Sequence, residues 1–351
     1  MKKIISVLLA VCLAAGMLVG CQPSTPAQPT QPTQPTDPGT PPVPADAIEF
    51  KIGHVLNTES PFHAGGLHFA ELISAKSNGV LVAEVFPSAL LGNDRELAEG
   101  LQLGTVDMAI TATAPVSGFA PKIQIFDLPY LFRDAAHAYK VLDGELGDEL
   151  LEDFYQNSGI VALAFWENGF RHITNSKRPI YTAEDVRGLK IRVQEISSHI
   201  DYWRSLGADP TPMAWTEVYT ALQQGTVDGQ ENPVQTIYTQ KVFEVQENMS
   251  LTFHCYAPTL IMISEGRFNA LDDANQQIMK DAAKEAATYQ RQFIADLESV
   301  GVEDMPTKGV NLIPASEIDM ESFRAAAQGV WDTYGAKLGV TEMIAQIQEV
   351  K

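Results

Sequence analysis

Basic residues are scarce in this chain: 24 lysines and arginines stand against 44 aspartates and glutamates, a formal net charge of −20. That balance repels a polyanion and excludes nucleic acid as a partner. Cysteine is scarcer still, with three in the sequence, so no disulfide framework supports the fold. Catalytic signatures are missing too. There is no Gly-x-Ser-x-Gly elbow, no His-Glu-x-x-His pair, no phosphate-cradling Gly-x-x-x-x-Gly-Lys and no paired-cysteine metal site. The histidines His54, His63, His68, His137, His172, His199 and His254 are scattered, and the spacing of His63 and His68 misses the i, i+4 register of a helical metal pair. Cys255 follows His254, but neighbours on a strand face opposite ways, which argues against a nucleophile pair. These absences favour a binding protein over an enzyme, with no cofactor expected.

A long apolar run begins just after Lys2-Lys3 and extends from Ile4 through Val19, with Leu18-Val19-Gly20 preceding Cys21. Residues 1–20 read as an export signal. Leu-Val-Gly-Cys resembles the bacterial lipobox, a likeness that makes Cys21 the lipid-modified first residue of the mature protein and its membrane anchor. Residues 22–46 are almost entirely Pro, Thr, Gln and Ser. They cannot bury enough apolar surface to offset chain entropy and read, with Cys21, as a tether. At about 3 Å per residue in a polyproline conformation, such a tether reaches several tens of Å.

The remaining residues exceed what one core usually accommodates, so two domains are expected. Residues 48–55 alternate as a strand, 62–76 carry apolar residues at helical spacing, and 81–86, 94–103 and 106–111 continue as strand, helix and strand. That run implies an open sheet with helices on its faces. A partial repeat supports two similarly built lobes: Glu96-x4-Leu101-Gln102-Leu103-Gly104-Thr105-Val106-Asp107 returns as Glu217-x4-Leu222-Gln223-Gln224-Gly225-Thr226-Val227-Asp228. The second lobe opens on Gly188-Leu189-Lys190-Ile191-Arg192-Val193-Gln194-Glu195. Alternation sends Leu189, Ile191 and Val193 one way and Arg192 the other; if the Arg192 face is buried, the guanidinium needs an anion. Helices are expected over 197–206, 216–224 and 234–247, a proline-rich turn over 209–212, a loop over 228–233 and strands over 251–256 and 259–264. A helical stretch over 274–300 is long enough to brace both lobes.

Several phrases, in this order, carry a family likeness. They are Phe86-Pro87-Ser88, Leu91-Gly92-Asn93-Asp94-Arg95-Glu96, Asp127-Leu128-Pro129-Tyr130-Leu131-Phe132-Arg133, Asn168-Gly169-Phe170-Arg171, Gly188 to Val193, Pro210-Thr211-Pro212-Met213, Glu217 to Gly225 and Asp228-Gly229-Gln230-Glu231-Asn232-Pro233. From residue 48 to about 345 the chain resembles the DctP class of solute-binding proteins of TRAP (tripartite ATP-independent periplasmic) transporters. The resemblance implies an α/β, two-lobed periplasmic-binding-protein fold of type II that closes on its ligand. It places lobe I at 47–168 plus 258–297 and lobe II at 169–257 plus 298–351. It makes Arg192 the carboxylate-binding arginine, with Arg171 a second beside it, Asn232 a hydrogen-bonding partner, and Trp215 and Phe170 aromatic contacts. His54, Glu59 and Thr113 are expected from lobe I. The implied function is capture of a small organic acid outside the cell and delivery to TRAP membrane permease subunits; a lipoprotein presenting its bound form to a sensor is the alternative. A sugar acid such as a hexuronate or aldonate suits the hydroxyl-binding groups, and the two arginines keep a C4-dicarboxylate open.

Overall fold

Two strands decide the architecture of residues 47–351, the part of the chain that the computed structural model describes. The export signal, Cys21 and the proline-rich tether lie outside the described residues. Strand β4 (Ile160–Asn175) and strand β8 (Asn248–Ser264) run antiparallel through the middle of one sheet. On one side β3 (Met108–Ala112) joins β8, followed by β1 (Ile48–Gly53) and β2 (Leu81–Phe86), both parallel to β3. On the other side β7 (Gly229–Pro233) joins β4, followed by β5 (Lys190–Val193) and β6 (Asp209–Pro212). A short β9 (Asn311–Ile313) lies along β8.

The registers explain why this single sheet makes two lobes. β3 pairs with the last part of β8, Met108 opposite Ile263, whereas β7 pairs with the last part of β4, Asn175 opposite Gly229. Each half-sheet is thus attached to a different end of the crossing pair. Between them the β4–β8 register shifts at Glu167/Gly169 and again at Arg171/Ile173, irregularities that bend and twist a ladder. Gly169 sits there at φ +117°, and a Cβ on it would meet Pro233 and the Glu298 carboxyl at 3.2 Å. Only glycine fits that backbone.

Apolar alternation builds the half-sheets as expected. Phe50 and Ile52 of β1 and Met108 and Ile110 of β3 are buried with Phe69 and Ile73 of the helix Pro61–Lys76. Leu189, Ile191 and Val193 are buried in a second cluster, with Arg192 on the opposite face. Both copies of the partial repeat end a helix in a left-handed glycine, Gly104 at φ +71° and Gly225 at φ +68°. The long helix is Asp273–Asp304, about 48 Å at 1.5 Å per residue. Its buried stripe includes four alanines, Ala282, Ala283, Ala286 and Ala287, which let it lie close against the helix Pro61–Lys76 and β4. Further along, Gly301 allows the same close approach to Val234 and Tyr238 at the helix Val234–Thr239. The brace therefore touches both halves. Among the described residues no helix is long and apolar enough to cross a membrane.

Four local expectations are corrected. The proline-rich turn at 209–212 is the edge strand β6, where prolines are tolerated because one side needs no ladder bonds. The loop at 228–233 is β7, fully buried and flanked by β4 and β5. Its polar sequence hid it; side-chain bonds such as Gln230 Nε2 to Thr174 Oγ1 at 3.0 Å satisfy what apolar alternation would otherwise have signalled. The two strands over 251–264 are one, β8. The helix over 234–247 stops at Thr239, and Lys241 at φ +57° leads into a separate 3-10 turn, Val242–Val245.

Candidate ligand-binding site

A narrow cavity of about 40 Å³ lies between the half-sheets. Val55, Phe62, Asp94 and Pro115 line it from the β1–β3 side, Asn168 from β4, and Arg192, Glu195, Trp215 and Asn232 from the β5–β7 side. Of the residues expected from the sequence, the fold brings Arg192, Trp215 and Asn232 together here.

Arg192 is 3 % exposed. Its Nε and Nη2 both donate to the Met213 carbonyl, at 2.9 and 2.5 Å, and its guanidinium lies 5.8 Å from the centre of the Trp215 ring. Among the described residues it forms no ion pair, and Nη1 has no hydrogen-bond partner. Burial, together with the nearby Arg171 charge, pushes its pKa down to about 10, a sign of a cation short of compensation although protonated at neutral pH. Asn232 donates from Nδ2 to Gln230 Oε1 at 2.5 Å, within strand β7 and not on a loop.

Arg171 is placed differently. It is fully buried and forks onto Glu231, Nε to Oε2 at 2.5 Å and Nη2 to Oε1 at 2.9 Å. Burial opposes both charges, but the pair overrides it: Arg171 is held above, and Glu231 well below, its ordinary range. Its neighbour Phe170 lines a separate groove of about 760 Å³ with Tyr130, Phe253 and Trp331. That groove is the larger of the two, yet its arginines Arg133 and Arg324 are exposed to water, whereas the Arg192 guanidinium is buried without a paired carboxylate. Chemistry, more than volume, singles out the narrow cavity.

The expected lobe-I contacts lie near the cavity without lining it. His54 is buried, its Nε2 sharing a hydrogen bond with His63 Nδ1 at 3.2 Å. Burial and His63 lower its pKa to about 3, so it is neutral. Thr113 is buried and donates to Asp127 Oδ2 at 2.7 Å. Glu59 is exposed. Their chain neighbours Val55 and Ala112 reach the cavity instead.

Two acidic residues were not singled out from the sequence. Asp94 begins the helix Asp94–Leu103, where the Asn93/Glu96 capping box fixes the backbone. It is 9 % exposed, and burial with Glu195 nearby raises its carboxyl to about 7, against the pull of Arg192. Glu195 follows Arg192's strand by two residues and lines the same cavity. The signal for both was available: Asp94 lies in a phrase that carries the family likeness, and Glu195 closes the octapeptide around Arg192. The cavity therefore has one uncompensated guanidinium and two carboxylates. It can hold one ligand carboxylate and accept bonds from ligand hydroxyls.

Comparison with known proteins identifies the family. The 2,3-diketo-L-gulonate-binding periplasmic protein of Escherichia coli is 36 % identical over 280 residues, covering 80 % of this chain and 84 % of that protein. The structure of a TRAP periplasmic solute-binding protein from Polaromonas sp. JS666 bound to D-erythronate is 40 % identical, with a TM-score of 0.83 over 86 % of this chain and 99 % of that one. A sugar-acid-binding protein from Advenella mimigardefordensis in complex with galactonate is 32 % identical, with a TM-score of 0.82 over 86 % and 98 % of the two chains. Residues 52–338 match the bacterial extracellular solute-binding protein family 7, DctP. With that match spanning both half-sheets and the cavity between them, the chain belongs to the DctP family of TRAP solute-binding proteins.

Proposed function

We propose that the cavity binds a small polyhydroxylated monocarboxylate, a sugar acid of the aldonate or hexuronate kind. Its carboxylate pairs with Arg192, and its hydroxyls donate to Asp94 and Glu195. The carrying observation is the charge inventory of the cavity, one free guanidinium facing two carboxylates. A C4-dicarboxylate would set its second carboxylate against Asp94 and Glu195, while the second arginine that would have welcomed it is already paired with Glu231. The erythronate and galactonate in similar structures are acids of the favoured kind. Trp215 supplies an apolar face for the carbon chain and Asn232 an amide for the carboxylate or a hydroxyl.

In this reading the lobes are 47–168 with 258–297 and 169–257 with 298–351, and they close across β4 and β8. The loaded form is handed to the membrane permease of a TRAP system. Lipid on Cys21 and the tether keep it close to that permease, on the outer side of the cell membrane. A thermal-shift screen of erythronate, galactonate, galacturonate and succinate tests the ligand class. At 100 times its dissociation constant a ligand stabilises the folded form by about 2.7 kcal/mol. Sugar acids should raise the unfolding temperature and succinate should not; the reverse ranking overturns the assignment.

A further inference from the structure

A cluster that ligand capture does not use lies beside the crossing strands. Asp127, His199 and Cys255 are all fully or almost fully buried, and one ligand atom from each lies within 4.8 Å of the others. Cys255 is on β8, Asp127 ends the 3-10 helix Pro121–Asp127, and His199 is in the first turn of the helix Ser197–Ser205.

We propose that Asp127, His199 and Cys255 form a binding site for a borderline-soft divalent cation, zinc in the first place, that ties the segment before β4 to the lobe beyond it.

The geometry carries the proposal. Cys255 Sγ lies 3.5 Å from His199 Nε2 and 3.4 Å from the Asp127 carbonyl oxygen, which is itself 3.1 Å from His199 Nε2. Tetrahedral zinc with sulfur at about 2.3 Å and nitrogen at about 2.0 Å separates those two ligand atoms by about 3.5 Å. Independently, Asp127 Oδ1 is buried with no hydrogen-bond partner, its other oxygen being taken by Thr113. A thiolate, an imidazole and oxygen donors are the mixed set that suits zinc better than magnesium or calcium.

Burial keeps the proton on both the Asp127 carboxyl, raised to about 7, and the Cys255 thiol, raised well above its ordinary value, and a bound cation has to displace both. A dication lets both ionise with no net charge left in the interior, releasing protons as it binds. The adjacent Arg171 is already neutralised by Glu231, which His254 also contacts at 3.1 Å. Because its ligands come from segments on either side of β4 in the chain, the cation holds those segments together in the arrangement seen here.

The full chain, stripped of metal, is titrated with Zn²⁺ against a chromophoric chelator and separately with Co²⁺. One equivalent should bind, and Co²⁺ should show intense tetrahedral bands with a thiolate charge-transfer band in the near ultraviolet. Cys255→Ser and His199→Gln should each weaken zinc by about tenfold or more, roughly 1.4 kcal/mol, and Cys255→Ser should abolish the charge-transfer band. Metal-free unfolding transitions confirm that the variants fold. If Cys255→Ser does not fold, His199→Gln and the Co²⁺ spectrum of the parent decide. Absence of binding, a Co²⁺ spectrum without the thiolate band, or zinc binding unchanged in folded variants overturns the proposal; the last outcome would place the metal elsewhere, His54 and His63 being the adjacent histidine pair.

Discussion

Arg192 and Arg171 are both buried, but replacing each by alanine should produce opposite patterns in two measurements. Arg192 touches a carbonyl and an aromatic ring and, among the described residues, has no carboxylate at ion-pair distance; Arg171 has Glu231 in a forked pair. Truncating Arg192 removes the ligand's counter-charge. Losing one member of a buried ion pair costs about 3–5 kcal/mol, a fall of about two to three and a half orders of magnitude in affinity. The ligand-free fold loses only a poorly compensated cation, so its stability should be unchanged or raised. Truncating Arg171 instead strands the buried Glu231 carboxylate within the fold, with His254 as its remaining side-chain partner. The same 3–5 kcal/mol should then appear as lost stability, a large share of the 5–15 kcal/mol typical of a whole protein, while affinity falls less than for Arg192→Ala. Arg192→Lys should lie between parent and alanine, since an ammonium keeps the charge but not the planar fork. Calorimetry with the acid giving the largest thermal shift reads affinity, and denaturant unfolding without ligand reads stability. A folded Arg192→Ala protein that binds within about threefold of the parent, under about 1 kcal/mol, would refute the assignment of the cavity.

Three further outcomes are expected. Asp94→Asn with Glu195→Gln should weaken sugar acids by about tenfold or more, given about 1.5–3 kcal/mol for a hydrogen bond to a charged group, and should strengthen succinate; parallel weakening of both acids in calorimetry would contradict the charge inventory. Burial holds the carboxyls of Asp94 at about 7 and Glu298 at about 8, with Glu195 and Glu167 adding to the respective shifts. At these two groups the folded state therefore keeps protons that the unfolded chain has released, so their own contribution to ligand-free stability falls as pH rises from about 5 to about 8, while buried neutral histidines such as His54 and His199 contribute the opposite slope below about pH 6.5. Glu298→Gln should flatten the fall, whereas Glu231, depressed instead of raised, loses its contribution only in acid; denaturant midpoints across the pH range check both. Finally, Cys21→Ser should move the protein from the membrane fraction to the soluble fraction on cell fractionation, and unchanged retention would show another anchor.

The parts of the fold legible in the sequence were those with a periodic apolar signal. β1 and the helix Pro61–Lys76 announce themselves because one face of each is core. β7 does not, because Gln230, Glu231 and Asn232 are buried through hydrogen bonds and an ion pair, a pattern that reads as a loop. The site divides along the same line. Arg192 was readable from strand alternation, since the opposite face is visibly apolar. Whether Arg171 faced ligand or protein depended on Glu231, 60 residues away in sequence, and no local pattern reports such a partnership. Asp94 was obscured by its place in a helix start, where an acidic residue is ordinary; only the packing of the other lobe's residues against it makes it part of a cavity.

The position of β8 between β3 and β4 also constrains the order in which the molecule can assemble. The β1–β3 half-sheet is the first to leave the ribosome, yet its inner strand β3 must wait for Thr259–Ile263, about 150 residues later, before its ladder is complete. The long helix that covers the same half comes later still. The β5–β7 half needs only the end of β4, which directly precedes it in the chain. Contacts so distant in sequence form slowly. In pulsed hydrogen exchange during refolding, amides of β7 should gain protection before those of β3, and simultaneous protection would argue against this order. The half made first is then finished last, and until β8 arrives the exposed edge of β3 is the surface through which two unfinished chains could pair.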